Sequence, residues 1–234
     1  MDFDQVAPHL SFPRLSKYLH ISKGNKQIAI QLYKQNIRVS KAFLPLLSTL
    51  EVVLRNGINE ALSAHFSDPD WIINQKTGFM IDSTLKYFDK RKRVFVQNEF
   101  LLLEVVRAEK RLRKSRTPVS TSKIIAEQTF GFWTDLFELQ HYKLLKGRPI
   151  KMFRNLPTGY GRREIYDVLN KIRIHRNRIY HNEPICFDSN GRTCFGDAIG
   201  IHALIMDVFS WITPDLLCWL TDIDDVAETI NSTN

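Results

Sequence analysis

The stretch Leu46-Leu47-Ser48-Thr49-Leu50-Glu51-Val52-Val53-Leu54-Arg55-Asn56-Gly57-Ile58-Asn59-Glu60-Ala61-Leu62 repeats its apolar residues at i, i+3, i+4 and i+7. That is the period of one helix face. Glu51, Arg55, Asn56 and Asn59 take the polar side, with Glu51 and Arg55 one turn apart and spaced to pair. No alternating run elsewhere is long enough to insist on a sheet. The predicted fold is all-α, one helical domain over residues 1–221.

Outward from this helix, Pro45 reads as an interruption between it and an earlier helix, about Lys26 to Phe43. A further helix start lies near Pro13. Downstream, Asp68-Pro69-Asp70-Trp71 is a turn. Residues 83–116 then form a basic segment, expected to be a helical insertion or arm. Its Lys90, Arg91, Lys92, Arg93, Arg107, Lys110, Arg111, Arg113 and Lys114 are dense enough to follow a phosphate backbone. Phe130-Gly131-Phe132-Trp133 reads as core packing. A helix from Arg162 to His181 and another from Ala198 to Trp211 follow. The acidic tail, residues 222–234, is expected to fray.

Composition narrows the function classes. The chain has 234 residues, a formal charge of +8 and three cysteines. The charge points to an anionic partner, nucleic acid before membrane surface. Cys186, Cys194 and Cys218 show no close-spaced metal pairing, which suits a reducing, cytoplasmic setting. The acidic start, Met1-Asp2-Phe3-Asp4, does not read as a secretion signal. There is no Walker-type loop, no G-x-G-x-x-G and no H-E-x-x-H. Neither a cofactor nor a metal is expected.

The chemistry concentrates in Lys171-Ile172-Arg173-Ile174-His175-Arg176-Asn177-Arg178-Ile179-Tyr180-His181-Asn182-Glu183-Pro184. Ile165, Val168, Ile172 and Ile179 share one helix face, while Arg173, Asn177, Tyr180 and His181 share another. Arg176 and His181, five apart, point about 140° away from each other on an ideal helix. A guanidinium can hold phosphate oxygens at two points, and an imidazole titrates near neutral pH.

Three patches together resemble the bacterial abortive-infection (Abi) family of the HEPN superfamily. They are Ala29-Ile30-Gln31-Leu32-Tyr33 through Leu50-Glu51-Val52-Val53-Leu54-Arg55-Asn56, then Phe130-Gly131-Phe132-Trp133, then Arg176-Asn177-Arg178-Ile179-Tyr180-His181-Asn182-Glu183-Pro184-Ile185. The resemblance implies a HEPN-like helical bundle with additional helices. It also implies a metal-independent endoribonuclease of phage defence whose R-x-x-x-x-H motifs meet in a homodimer. Under it Arg176, Asn177 and His181 are the expected catalytic residues. Tyr180, Arg173, Glu51, Arg55 and Asn56 are the expected supporting ones. The partner is RNA, as substrate or as a structured guide-like molecule; an antitoxin is possible, and no membrane is expected. Two alternatives stay open: a non-catalytic RNA-binding module that signals cell arrest through a partner, and a membrane-surface or protein-interaction factor.

Overall fold

The computed structural model describes residues 3–188 and 190–232. They are mostly helical, as the apolar periodicity requires. The elements in order are α1 (Phe3–Leu10), α2 (Phe12–Ile21), α3 (Lys26–Phe66), α4 (Trp71–Asn74), β1 (Lys86–Asp89), β2 (Val94–Gln97), α5 (Phe100–Lys114), α6 (Thr121–Glu127), α7 (Phe130–Asp135), α8 (Leu139–Leu144), α9 (Arg162–Tyr180), α10 (Gly196–Ile212), α11 (Asp215–Leu220) and α12 (Val226–Asn231). Short 3₁₀ turns lie at Gln75–Thr77, Phe79–Ile81 and Arg148–Met152.

The chain divides into two compact units. One holds residues up to Leu50, Lys171–Ser210 and Pro214 onward; the other holds Glu51–Asn170 and Trp211–Thr213. In the first, Leu15, Tyr18, Phe43, Leu46, Leu47, Ile172, Ile205 and Phe209 form the buried centre. Tyr18 stands edge-on to Tyr33 at 5.4 Å and tilted against Phe187 at 5.2 Å. The loop carrying Phe187 closes as a narrow turn: the Cys194 amide donates to the Cys186 carbonyl, and Asp188 Oδ1 accepts the amides of Asn190 and Arg192.

In the second unit, Leu54, Ile58, Leu62, Trp71, Leu101, Val105, Trp133 and Phe137 are buried. Trp71 donates its indole N–H to Asn59 Oδ1 at 2.8 Å, so the polar side of the opening stretch still serves the core. A Cβ on Gly57 would meet Met152 Cε at 2.9 Å, which is why the apolar stripe carries a glycine there. Phe130, Phe132, Trp133 and Phe137 are all buried.

Three expectations are corrected. Pro45 does not divide two helices: it lies inside the 41-residue α3. A proline there leaves the Lys41 carbonyl without its donor, at about 3 kcal/mol. Buried Ala42, Phe43, Leu46, Leu47 and Leu50 on either side hold the helix together, and Pro45 itself is exposed. The segment 83–116 is helical only from Phe100; its first part is an antiparallel hairpin pairing Lys86↔Gln97, Tyr87↔Val96, Phe88↔Phe95 and Asp89↔Val94. Aromatic and β-branched residues favour the pleated form over four consecutive pairs. The tail is not frayed through its length. Val226 and Ile230 of α12 are buried, and Asp224 Oδ2 lies 2.7 Å from His202 Nε2.

Replacing Pro45 by Ala should raise stability by roughly 1–3 kcal/mol, because the missing N–H returns and the ring clash goes. Urea denaturation of the two proteins checks this; a neutral or destabilising result means that the proline sits in the helix without cost.

Candidate functional site at the end of helix α9

A helix leaves its last four carbonyls without intrahelical donors, so its end must be closed by something else. The Glu183 amide donates back to the Arg178 carbonyl at 2.7 Å and the Asn182 amide to Ile179 at 3.0 Å. Asn182 adopts the left-handed conformation, φ 53°. This is a Schellman closure with His181 as the last capping residue, and asparagine is among the few non-glycine residues that tolerate its bend. The helix therefore stops at Tyr180, before Pro184, without deforming.

Two residues outside the motif fix this corner. Arg14 of α2 donates Nη1 to the Asn182 carbonyl at 2.7 Å and to that of His181 at 3.4 Å. Its cation also meets the negative end of the helix dipole. Asn36 of α3 is 2% exposed; its Oδ1 accepts the Ile185 amide at 2.7 Å, and its Nδ2 donates to the Glu183 carbonyl at 3.5 Å. Arg178 donates to the Pro184 carbonyl and stands 4.0 Å from the Glu183 carboxylate. Sequence reasoning missed Arg14 and Asn36. Arg14 carries no distinguishing pattern, but Asn36 does: it shares the buried stripe with Ala29, Leu32, Val39 and Phe43, so it is a polar residue at a core position.

The candidate catalytic side chains sit around this closure. Arg176 is half-buried with its guanidinium carbon 4.3 Å from the centroid of the exposed Tyr180 ring. That cation–π contact joins residues one turn apart. His181 and Asn177 are exposed, and the Asn177 carbonyl accepts the His181 backbone amide at 2.9 Å. Among the described residues no side-chain hydrogen bond joins Asn177 to the His181 ring, so Asn177 does not orient that ring here. Arg173 is half-buried, its Nε enclosed without a hydrogen-bond partner. Glu51 and Arg55 are half-buried and Asn56 is exposed; all three belong to the second unit.

His175 departs from the simple reading of the motif. It continues the buried stripe of Ile172 and Ile179, is 4% exposed, and lies 5.1 Å from the Phe43 ring with Nε2 unpartnered. Burial first, then the nearby Arg178 charge, push its pKa down from 6.5 to about 4, against an opposing pull from Asp197. His175 is therefore a neutral core residue at physiological pH, and His181 is the solvent-facing imidazole of the pair.

The expected phosphate-tracking residues separate into two groups. On α5, Arg107 pairs with Glu104, Arg111 with Glu127 at 2.7 Å, and Arg113 with Glu109 at 3.7 Å. Lys110 and Lys114 are exposed. Lys90, Arg91, Lys92 and Arg93 form the exposed hairpin loop, not a helix face. Among the described residues no three His, Cys, Asp or Glu side chains gather as a metal-ligand set, and no helix is long and apolar enough to cross a membrane.

Comparison with protein-family models, with curated proteins and with solved structures finds no match to this chain.

Two measurements test the corner. Asn36→Ala leaves the buried Ile185 amide without an acceptor and should cost about 1–3 kcal/mol in chemical denaturation. For His175 the folded pKa lies below the unfolded one, so the unfolded chain takes the proton first as pH falls. Its contribution is complete above about pH 6.5 and declines toward pH 4. His175→Leu should flatten the fall in Tm across that window; an unchanged slope would place the acid sensitivity elsewhere.

Proposed function

We propose that this chain is a metal-independent HEPN-type endoribonuclease of phage defence, acting as a homodimer whose two motifs form one composite cleft with two Arg176–His181 pairings. The observation that carries the reading is the undistorted end of α9. Arg176 lies on the helix and His181 just past its end, at a backbone corner fixed by Arg14 and Asn36, and five residues of ideal helix separate their directions by about 140°. One chain thus supplies the two groups without converging them. A second copy related by a twofold axis brings the Arg176 of each chain toward the His181 of the other.

In that arrangement the His181 imidazole takes the proton from an RNA 2′-hydroxyl. The 2′-oxygen attacks the adjacent phosphorus, the bond to the 5′-oxygen breaks, and that oxygen leaves as a hydroxyl after receiving a proton. The products are a 2′,3′-cyclic phosphate and a 5′-hydroxyl end. The Arg176 guanidinium offsets the charge that builds on the non-bridging oxygens. The Tyr180 ring beneath it restricts where that cation can go, and Arg173 and Asn177 add donors on the same exposed side.

A second reading, a non-catalytic RNA-binding module that signals through a partner, is favoured by the exposed cationic hairpin loop. Purified protein incubated with RNA in chelator separates the two. Under the nuclease reading wild type cuts, and His181→Ala and Arg176→Ala each lower the rate by about 10²–10³-fold or more. Mixing the two dead variants should restore on the order of a quarter of wild-type activity, because half the dimers are mixed and each mixed dimer keeps one Arg176–His181 pairing. Identical behaviour of wild type and both variants would sink the nuclease reading. Cutting by a verified monomer would sink the composite site.

A further inference from the structure

The hairpin β1–β2 exposes what a soluble hairpin ordinarily hides. Phe95 is 72% exposed, and Tyr87, Phe88 and Val94 are each about half exposed. Directly paired residues share a face, so Phe88 and Phe95 lie together, with Lys86 and Gln97 behind them. The two rings meet edge-to-face with centroids 5.3 Å apart. That geometry uses one ring's edge and leaves aromatic surface open to solvent.

The loop beyond them is built to hold cations outward. Asp89 Oδ1 accepts the amides of Arg91 and Lys92 at 2.9 and 3.1 Å, and the Arg93 amide donates to the Asp89 carbonyl at 2.7 Å. Arg93 sits in the left-handed region, φ 55°. The single carboxylate of the hairpin thus works on the loop backbone. From Lys86 to Gln97 there are five cations (Lys86, Lys90, Arg91, Lys92, Arg93) against that one Asp89. Among the described residues none of the five has an ion-pair partner, in contrast to the arginines of α5. The base is anchored: Leu85 is buried, its carbonyl accepts the Asn98 amide at 2.7 Å, and Gln97 Nε2 donates to the Asp82 carbonyl at 2.7 Å.

We propose that this hairpin is a binding site for single-stranded RNA, in which Phe88 and Phe95 stack on unpaired bases while Lys86 and the Lys90–Arg93 loop hold the flanking phosphates. Open aromatic surface beside unpaired cations is the combination that single-strand binding needs, since every base has a π-face and every link a charge. A bilayer fits worse. The apex is four cations with no apolar residue, so the rings behind it cannot enter hydrocarbon without drawing those charges in. The inference rests on the RNA-binding part of the proposed function and is independent of cleavage.

The test uses the full chain carrying His181→Ala, so that RNA stays intact, with a labelled single-stranded RNA of about a dozen nucleotides followed by anisotropy. Adding Phe88→Leu and Phe95→Leu, which keep apolar bulk and remove the π-faces, should weaken binding about tenfold. The same pair should leave affinity for an abasic strand of equal length unchanged. Converting Lys90, Arg91, Lys92 and Arg93 to Gln should flatten the salt dependence by about 0.7 per cation. Circular dichroism confirms that each variant is folded. Unchanged affinity in the Leu pair, or an equal loss on the abasic strand, would overturn the proposal and leave the aromatics as a hairpin-stabilising pair. Equal affinity for a duplex, or Phe95-dependent sedimentation with phosphatidylserine vesicles without an effect on RNA, would overturn it too. RNA cutting that persists when hairpin stacking fails removes only this inference; stacking without cutting removes only the nuclease reading.

Discussion

The closure of α9 is the constraint on which the candidate site depends. A 19-residue helix ending in basic and aromatic side chains must find donors for its last carbonyls, and water at a mobile end would leave those side chains undirected. Here the His181, Asn182 and Glu183 amides donate to the Asn177, Ile179 and Arg178 carbonyls, while the Arg14 guanidinium and the Asn36 amide hold the carbonyls of the closing turn itself. Each bond is worth only about 1 kcal/mol net, but an unmet buried group costs more than a met one returns. The corner is fixed by the penalty for leaving it open. His181 inherits a defined position from backbone accounting, not from hydrogen bonds to its ring.

The same logic separates the two histidines of the motif. His175 and His181 are six residues apart, and neither residue type nor spacing distinguishes their roles. Position on the helix does. At 175 the side chain falls between Ile172 and Ile179 against Phe43, where protonation would place a cation in an apolar setting beside Arg178. At 181 the ring faces water. One imidazole is held neutral by burial and the other is open to solvent.

Helical periodicity carried most of the fold, and the apolar stripe from Leu46 to Leu62 is a helix along its whole length. Reading failed where a local rule met a stronger tertiary one. Pro45 is a helix breaker by its own chemistry, yet a buried stripe on both sides outweighs it. Lys86–Gln97 was hidden by its charge, since five cations suggest a solvated helix while the strand signal rests on Tyr87, Phe88 and Val94-Phe95-Val96. Around the candidate site, the helix, its isoleucine face and the exposed residues Asn177, Tyr180 and His181 were legible from register. Asn36 was legible in principle, as an amide on a core stripe. Arg14 was not, because its partners are backbone carbonyls more than 160 residues away and leave no trace in side-chain pattern.

Net charge alone does not locate a nucleic-acid surface. Nine residues between Lys90 and Lys114 looked equivalent in sequence, but Glu104, Glu109 and Glu127 draw the α5 arginines into ion pairs. In these pairs the arginines stay exposed, while Glu104 and Glu109 are buried. The consequence of the pairing is that a phosphate approaching α5 must compete with carboxylates already seated there, whereas one approaching the Lys90–Arg93 loop displaces only water and counterions. With five cations and one carboxylate, the hairpin is a concentrated source of positive potential, and its open rings add a contact that charge alone lacks. The local ratio of unpaired cations to carboxylates, more than the chain's total of +8, is what singles out the hairpin as the proposed RNA surface.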